Sequence, residues 1–453
     1  MRAGRAGILG WILFDFAAQP VFTLITTFIF APFFASRVAA NAVEGQALWG
    51  WATAVAGLII AVLSPVLGAV ADAAGHRKPW IFIFSVLLFV GAFTLWWAEP
   101  GMPYAVPLAM FAFALTTIGA EFATVFTNAM MPSLVPQQEL GRLSGTGWAM
   151  GYVGGLLSLV LMLALIVGSP ETGRTLAGLM PLFGLDPQTG EGDRASGPLS
   201  ALWYLIFVLP LFLFTPDLPK GLPISTAVHA GLANLRATIL AVREHRNTLI
   251  YLIAHMIYAD GLVGLFAFGG IYASGIFGWA TTEIGAFGIL LTITGAIGAF
   301  TGGRLDDRFG PRPVVLCSLA VLMVASLGIL STTSSSVLFG IPVAPPVAGD
   351  GLFASAAERF YLFCGVLIGM VAGPLQAASR TLLVRVSPPD NITQFFGLYA
   401  LAGRVTSFLC PALVGTVTAL AASQRAGVSV IMLFFAVGAL VLTAVKVPGA
   451  KRA

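Results

Sequence analysis

The chain has 453 residues, of which 58% are hydrophobic and 9% charged, and its mean hydropathy is +0.93. A soluble domain carries about 25% charged residues, so this composition excludes a protein whose surface faces water. The formal net charge of +4 therefore bears on membrane topology, and nucleic acid is not an expected partner.

A bilayer span needs about 20 predominantly apolar residues. Segments of that kind stand near 8–35, 47–71, 80–98, 104–131, 146–168, 199–215, 248–277, 284–303, 313–331, 359–380, 394–420 and 427–446. The expectation is an all-α membrane protein of twelve transmembrane helices. Arg2 and Arg5 precede the first segment, which is too long for a signal peptide and lacks a small-residue cleavage site. With the N-terminus placed in the cytoplasm, cytoplasmic segments hold 17 of the 23 Lys and Arg residues and the opposite loops hold 5. The positive-inside bias then puts both termini in the cytoplasm.

Residues 217–247 join segments six and seven. Pro216, Pro219 and Pro223 forbid a continuous helix there. From Ser225 onward, Leu232, Leu235, Ile239 and Leu240 oppose Arg236, Arg243 and Arg246, which predicts an interfacial amphipathic helix.

Two halves are related by an internal repeat. Gly68, Asp72, Gly75 and Arg77 follow segment two; Gly303, Asp307, Gly310 and Arg312 follow segment eight in the same spacing. Pro136, Gly145 and Gly151 are matched by Pro388, Gly397 and Gly403, and Phe14 with Asp15 is echoed by Tyr258 with Asp260. The division expected is a six-helix bundle over 1–216, a linker over 217–247 and a second six-helix bundle over 248–453.

The duplicated G-x-x-x-D-x-x-G-x-R pattern resembles the major facilitator superfamily. Further runs resemble one branch of it: Trp11–Asp15, Ser64–Asp72, His76–Trp80, Thr127–Pro132, Ser144–Trp148, Gly151–Gly155, Ile257–Gly261, Gly373–Arg380 and Phe395–Arg404. Together they are similar to the vacuolar amino-acid effluxer (autophagy-related) family and its prokaryotic relatives. The resemblance implies two pseudo-symmetric six-helix bundles, alternating access and efflux of a small polar metabolite such as an amino acid, proton-coupled or facilitative. Ala259 departs from it, standing where relatives often carry Asn. Short loops fit a prokaryotic plasma-membrane member, and a monomer is expected. Arg77–Trp80 also resembles the sugar or glycoside–cation symporters, which is the alternative reading.

Ionisable groups inside a membrane are costly and mark function by default. Asp15, Glu121, Asp260 and Arg404 fall within spans one, four, seven and eleven. By resemblance, helices one, four, seven and ten line the central cavity. A carboxylate shielded from water could take up a proton on one side and release it on the other, and Arg404 could neutralise an acid or hold a substrate carboxylate. The alternative for Asp15 and Asp260 is a bond to nearby backbone that only fixes helix packing; for Arg404 it is a structural ion pair.

Gln19, Asn128, Tyr258, Gln376 and Ser379 are uncharged candidates for the same site. Gln376 and Ser379 share a helix face, and Asn128 could instead cap helix four. Interhelical hydrogen bonding is the alternative for all five. Asp72 and Asp307 close their helices beside a glycine turn, where a carboxylate can meet a neighbouring helix dipole. By resemblance those dipoles belong to helices eleven and five, so the motif would bias a two-state equilibrium; a static loop clamp is the alternative. Gly151, Gly154, Gly155, Gly295, Gly298 and Gly302 should permit close helix approach. No phosphate-binding loop, metal-ligand spacing or reactive cluster is present, so no cofactor, metal or catalysis is expected.

Overall fold

The computed structural model describes residues 4–135, 140–217, 219, 221–223, 226, 229, 245–345, 351–387, 398–399, 402–403 and 406–447. Among them the helices are α1 (Arg5–Val38), α2 (Ala42–Ala74), α3 (Lys78–Thr94), α4 (Ala105–Leu134), α5 (Leu140–Leu161) and α6 (Ser196–Phe214). They continue with α7 (Arg246–Phe277), α8 (Thr281–Phe309), α9 (Pro311–Leu330), α10 (Ala356–Val386), α11 (Leu409–Ala421) and α12 (Gln424–Thr443). A two-stranded hairpin, β1 (Ser336–Val337) with β2 (Ile341–Pro342), lies between α9 and α10.

Ten helices among the described residues are long and apolar enough to cross a membrane. Of the expected segments outside that set, 47–71 is carried by the 33-residue α2 and the end of 394–420 by the 13-residue α11. The amphipathic helix expected in the linker, Arg404, and the Pro136, Pro388 and Gly397 positions of the second repeat lie outside the described residues.

Local chemistry explains the helix boundaries. Asn41 caps α2 by accepting from the Glu44 N–H, and Ser423 caps α12. Ser355 and Glu358 form a reciprocal capping box at α10, satisfying two of the N–H groups a helix start leaves open. Pro20 lies inside α1 and cannot donate to the Phe16 carbonyl four residues back. The indole N–H of Trp203 on α6 takes that carbonyl at 3.0 Å, and the helix widens to π-type turns over Val21–Phe28. Pro411 stands in the first turn of α11, where a missing N–H costs nothing.

Contacts divide the chain into two units, Met1–Leu235 with Ala280–Gly285, and Arg236–Trp279 with Ala286–Ala453. In the first, α1 packs on α5 and α6, and α3 packs on α4 and α6. In the second, α7 packs on α11 and α12, and α9 packs on α10 and α12. The same pairings recur, as the sequence repeat requires.

Packing rather than water exclusion holds such helices together. Phe14, Phe84, Phe122, Phe126 and Tyr204 interlock in the first unit, where the Ser85 and Tyr204 hydroxyls join α3 to α6 at 2.6 Å. A Cβ at Gly154 would lie 2.5 Å from the Phe16 carbonyl, and one at Gly298 only 2.0 Å from that of Met370. Those glycines, and Gly302 against Pro374, leave no room for a side chain; at Gly155 a Cβ would require the Gln19 and Thr23 side chains to shift, and Gly151 and Gly295 have room for a methyl group.

Candidate functional site

In the first unit the polar residues of α1 form a ladder. Asp15, Gln19 and Thr23 recur every four residues and so share one face. Opposite them α5 presents Gly147, Gly151 and Gly155 at the same interval. A Cβ at Gly147 would stand 2.6 Å from Asp15 Oδ2, and one at Gly155 would stand 2.9 Å from Gln19 Cγ and 2.6 Å from Thr23 Oγ1. The glycines thus make the room in which a carboxylate, an amide and a hydroxyl lie between helices. Asp15 and Gln19 are half-buried and Thr23 is buried. One turn before Asp15, the buried Trp11 indole donates to the Thr127 carbonyl at 2.7 Å and fixes α1 against α4. Glu121 is half-buried on α4. Asn128 is exposed and does not cap α4, which continues to Leu134.

The second unit treats its acid differently. Asp260 is buried on α7, and its Oδ2 accepts from the Cys410 N–H at 3.2 Å. Cys410 lies in the first turn of α11, so the carboxylate meets the positive end of that helix. Oδ1 is buried with no hydrogen-bond partner among the described residues.

Tyr258 and Ser379, both expected as site residues, are brought together: their hydroxyls lie 2.7 Å apart between α7 and α10. Tyr251 donates to the Ser379 carbonyl, and the buried His255 ring stacks on Tyr399 with centroids 4.0 Å apart. Gln376 is half-buried and donates back to Ala372 of its own helix at 3.3 Å. Its face is therefore not shared in use with Ser379.

The duplicated motif sits at two tight helix–helix turns. Gly75 and Gly310 both have φ of 84°, a region that penalises any residue with a Cβ. Gly68 and Asp72 fall on α2, and Gly303 and Asp307 on α8. At the first turn, Asp217 accepts from the Arg77 N–H at 2.8 Å and the Lys78 N–H at 3.2 Å, with His76 Nδ1 at 3.4 Å. These N–H groups open α3, so Asp217 caps that helix from a distant part of the chain. In return, the Arg77 guanidinium donates to the Ala71 carbonyl and the Lys78 ammonium to that of Phe212 at 2.8 Å. Both cations thereby serve the negative ends of α2 and α6. At the second turn, Arg312 donates to the Thr443 carbonyl of α12 at 2.6 Å.

Reading the residues alone missed Asp217, although it is an acid directly after span six in a cationic segment. It also missed Asp193 and Arg194, both buried. Thr281, in the segment that groups with the first unit, donates to the Asp193 carboxylate, and Arg194 bonds the Trp96 carbonyl at 3.1 Å with Glu99 at 3.7 Å. Among the described residues, no three His, Cys, Asp or Glu side chains gather as metal ligands would.

A family described as vacuole effluxer Atg22 like matches residues 37–453. YxiO of Bacillus subtilis, an uncharacterized MFS-type transporter, is 22% identical over 436 residues, covering 95% of this chain and 93% of that protein. Autophagy-related protein 22-1 of Neosartorya fischeri is 23% identical over 293 residues, 61% of this chain, and the match spans 43% of the fungal protein. Among solved structures, a D-xylose-proton symporter is similar with a TM-score of 0.63 at 16% identity, covering 98% of this chain and 97% of its own. A bacterial homolog of the human lysosomal transporter Spinster has a TM-score of 0.61 at 15% identity, covering 96% and 95%. At such identities the structural likeness shows the fold, that of a major facilitator transporter.

Proposed function

This chain belongs to the Atg22-like effluxer family of the major facilitator superfamily, and from that premise we propose that it exports a small polar metabolite of the amino-acid class in exchange for protons. It is a multi-pass membrane transporter whose substrates are small molecules. The narrower reading rests on one observation, the Asp15–Gln19–Thr23 ladder set against the glycines of α5.

An ionised carboxylate between helices is expensive. It is neutralised either by a proton or by the ammonium group of a solute, and one carboxylate holds one of these at a time. Exchange follows: solute leaves Asp15 as a proton arrives, and the reverse cycle resets it. Gln19 and Thr23 supply further acceptors at one-turn steps, and Asn128, Gln376 and Glu121 are assigned to the same solute path. Asp260 serves instead to position α11, and Tyr258 with Ser379 to join α7 to α10. The turns at Gly75 and Gly310 bias the alternation between two states, because a ligand shifts an equilibrium only by its differential affinity. The reading includes cytoplasmic termini, a monomer in a prokaryotic plasma membrane, and bundles over 1–216 and 248–453 joined by 217–247.

The rival carrier, a sugar or glycoside–cation symporter, drew on Arg77–Trp80. Arg77 and Lys78 are occupied in clamping the turn before α3, which leaves that resemblance without a part in solute binding. Proteoliposomes decide between the two. Counterflow of labelled amino acids, together with net amino-acid flux that moves protons oppositely, both lost in Asp15→Asn, is the expected result. Sugar uptake driven by a sodium gradient, without amino-acid counterflow, would sink the proposal.

A further inference from the structure

We propose that the groove between the ends of α9 and α10 remote from Gly310 binds a phospholipid of the surrounding bilayer, an acyl chain in the groove and an anionic headgroup on Arg359. The groove has a volume of about 390 Å³ and is walled by Ala325 and Gly328 of α9, Phe360, Cys364 and Leu367 of α10, and Phe339 of the hairpin. Of the remaining lining only Ser331 brings a hydroxyl.

Three observations select a lipid. First, the groove is continuous with lipid-facing surface. Val324 is 67% exposed, Phe363 57% and Phe339 65%, and α9 and α10 are both long and apolar enough to cross the membrane. An apolar patch of that kind is a liability in water and is at home against acyl chains. The occupant of a groove opening on that surface is the solvent of that surface.

Second, the hairpin is held in a costly backbone to present apolar side chains at the groove's edge. Leu338 and Phe339 have φ of 50° and 62°, in the region where only glycine sits without strain. The Phe339 N–H donates to the Ser331 carbonyl at 3.2 Å, tying the strained tip to the end of α9.

Third, a cation stands where a headgroup would. Arg359 is exposed and precedes Phe363 by one turn on the same face of α10. That places it nearer the start of the helix, and so nearer the bilayer surface, than the groove-lining Phe360, Cys364 and Leu367. Its Nε and one Nη2 donate to the carbonyls of Ser355 at 3.4 Å and Ala354 at 3.0 Å. Among the described residues no carboxylate pairs with it, so its charge is available to a phosphate.

The test is native mass spectrometry of the purified full chain titrated with phosphatidylglycerol or phosphatidylcholine. Wild type should keep one bound lipid under activation that strips the rest, with phosphatidylglycerol preferred by about tenfold, the equivalent of one charge-assisted hydrogen bond. Arg359→Gln should lose that preference, and Leu367→Trp, which fills the groove, should lose the retained lipid. Phe339→Asp, which changes an exposed side chain and keeps the Phe339 N–H to Ser331 bond, should lose it too, so the result does not hang on Leu367→Trp folding. Lipid retention unchanged in both groove variants, a headgroup preference unchanged in Arg359→Gln, or a dimer that disappears in Leu367→Trp would each overturn the assignment.

Discussion

The first helix of each unit carries an acid facing the fifth helix of that unit, yet the two acids are held in opposite ways. Asp15 is half-buried, and its carboxylate lies against the glycines of α5. Asp260 is buried and engaged by the opening turn of α11. A repeat preserves position and leaves chemistry free to diverge: one carboxylate lies against the glycine face of a helix, while the other caps a helix start. The turns after α2 and α8 diverge likewise. Both need a glycine at φ 84°, but a carboxylate clamps the first and a guanidinium on a carbonyl holds the second.

The sharpest way to break the comparison is Asp15→Asn. Transport should fall about a hundredfold, as expected for losing one partner of a desolvated charge contact, while the thermal midpoint in detergent moves little. Asp260→Ala should do the reverse, costing about 1–3 kcal/mol of stability for the lost partner of the Cys410 N–H while transport per folded molecule persists. Matching losses of transport in both, at matching stability, would show that the two acids share one role.

Gly75→Ala and Gly310→Ala should each cost about 1–3 kcal/mol through backbone strain, measured as paired shifts in thermal unfolding. The two glycines share φ but differ in ψ, −68° at Gly75 and 161° at Gly310, and a shift near zero at either would show that its turn does not need the positive φ. Asp217→Ala should cost about 1–2 kcal/mol as a lost helix cap, against about 0.3–1 kcal/mol for Arg312→Met, a lost cation at a helix end. An Arg312 effect larger than that of Asp217 would reverse the assignment of the stronger clamp. Smallest of all, Gln376→Ala should change stability by less than about 0.5 kcal/mol, because among the described residues its amide bonds its own helix alone. Its effect on solute affinity then reads binding directly.

Much of the fold was legible in the residues themselves. Membrane insertion depends on transfer of each apolar stretch into lipid, a sum that any window of sequence contains. The duplicated motif announced the two turns, and a glycine in the same place twice anticipated the shared positive φ. The tight approaches at Gly154 and Gly298 followed from residue size.

What the residues could not say was which way each helix faces. In water, polarity marks the outer side of a helix every 3.6 residues; in a bilayer both the lipid side and the packed side are apolar, and that periodic signal vanishes. Asp15 and Asp260 therefore looked alike as acids in equivalent spans. Only the packing of α7 on α11 gave Asp260 a helix start to hold, and only the return of the chain after α6 gave Asp217 the turn before α3. Membrane spans, repeat and turn glycines are local or additive properties, carried by composition and spacing. The partners of each buried acid depend on helix rotation and on contacts distant in sequence, and these the tertiary structure alone decided.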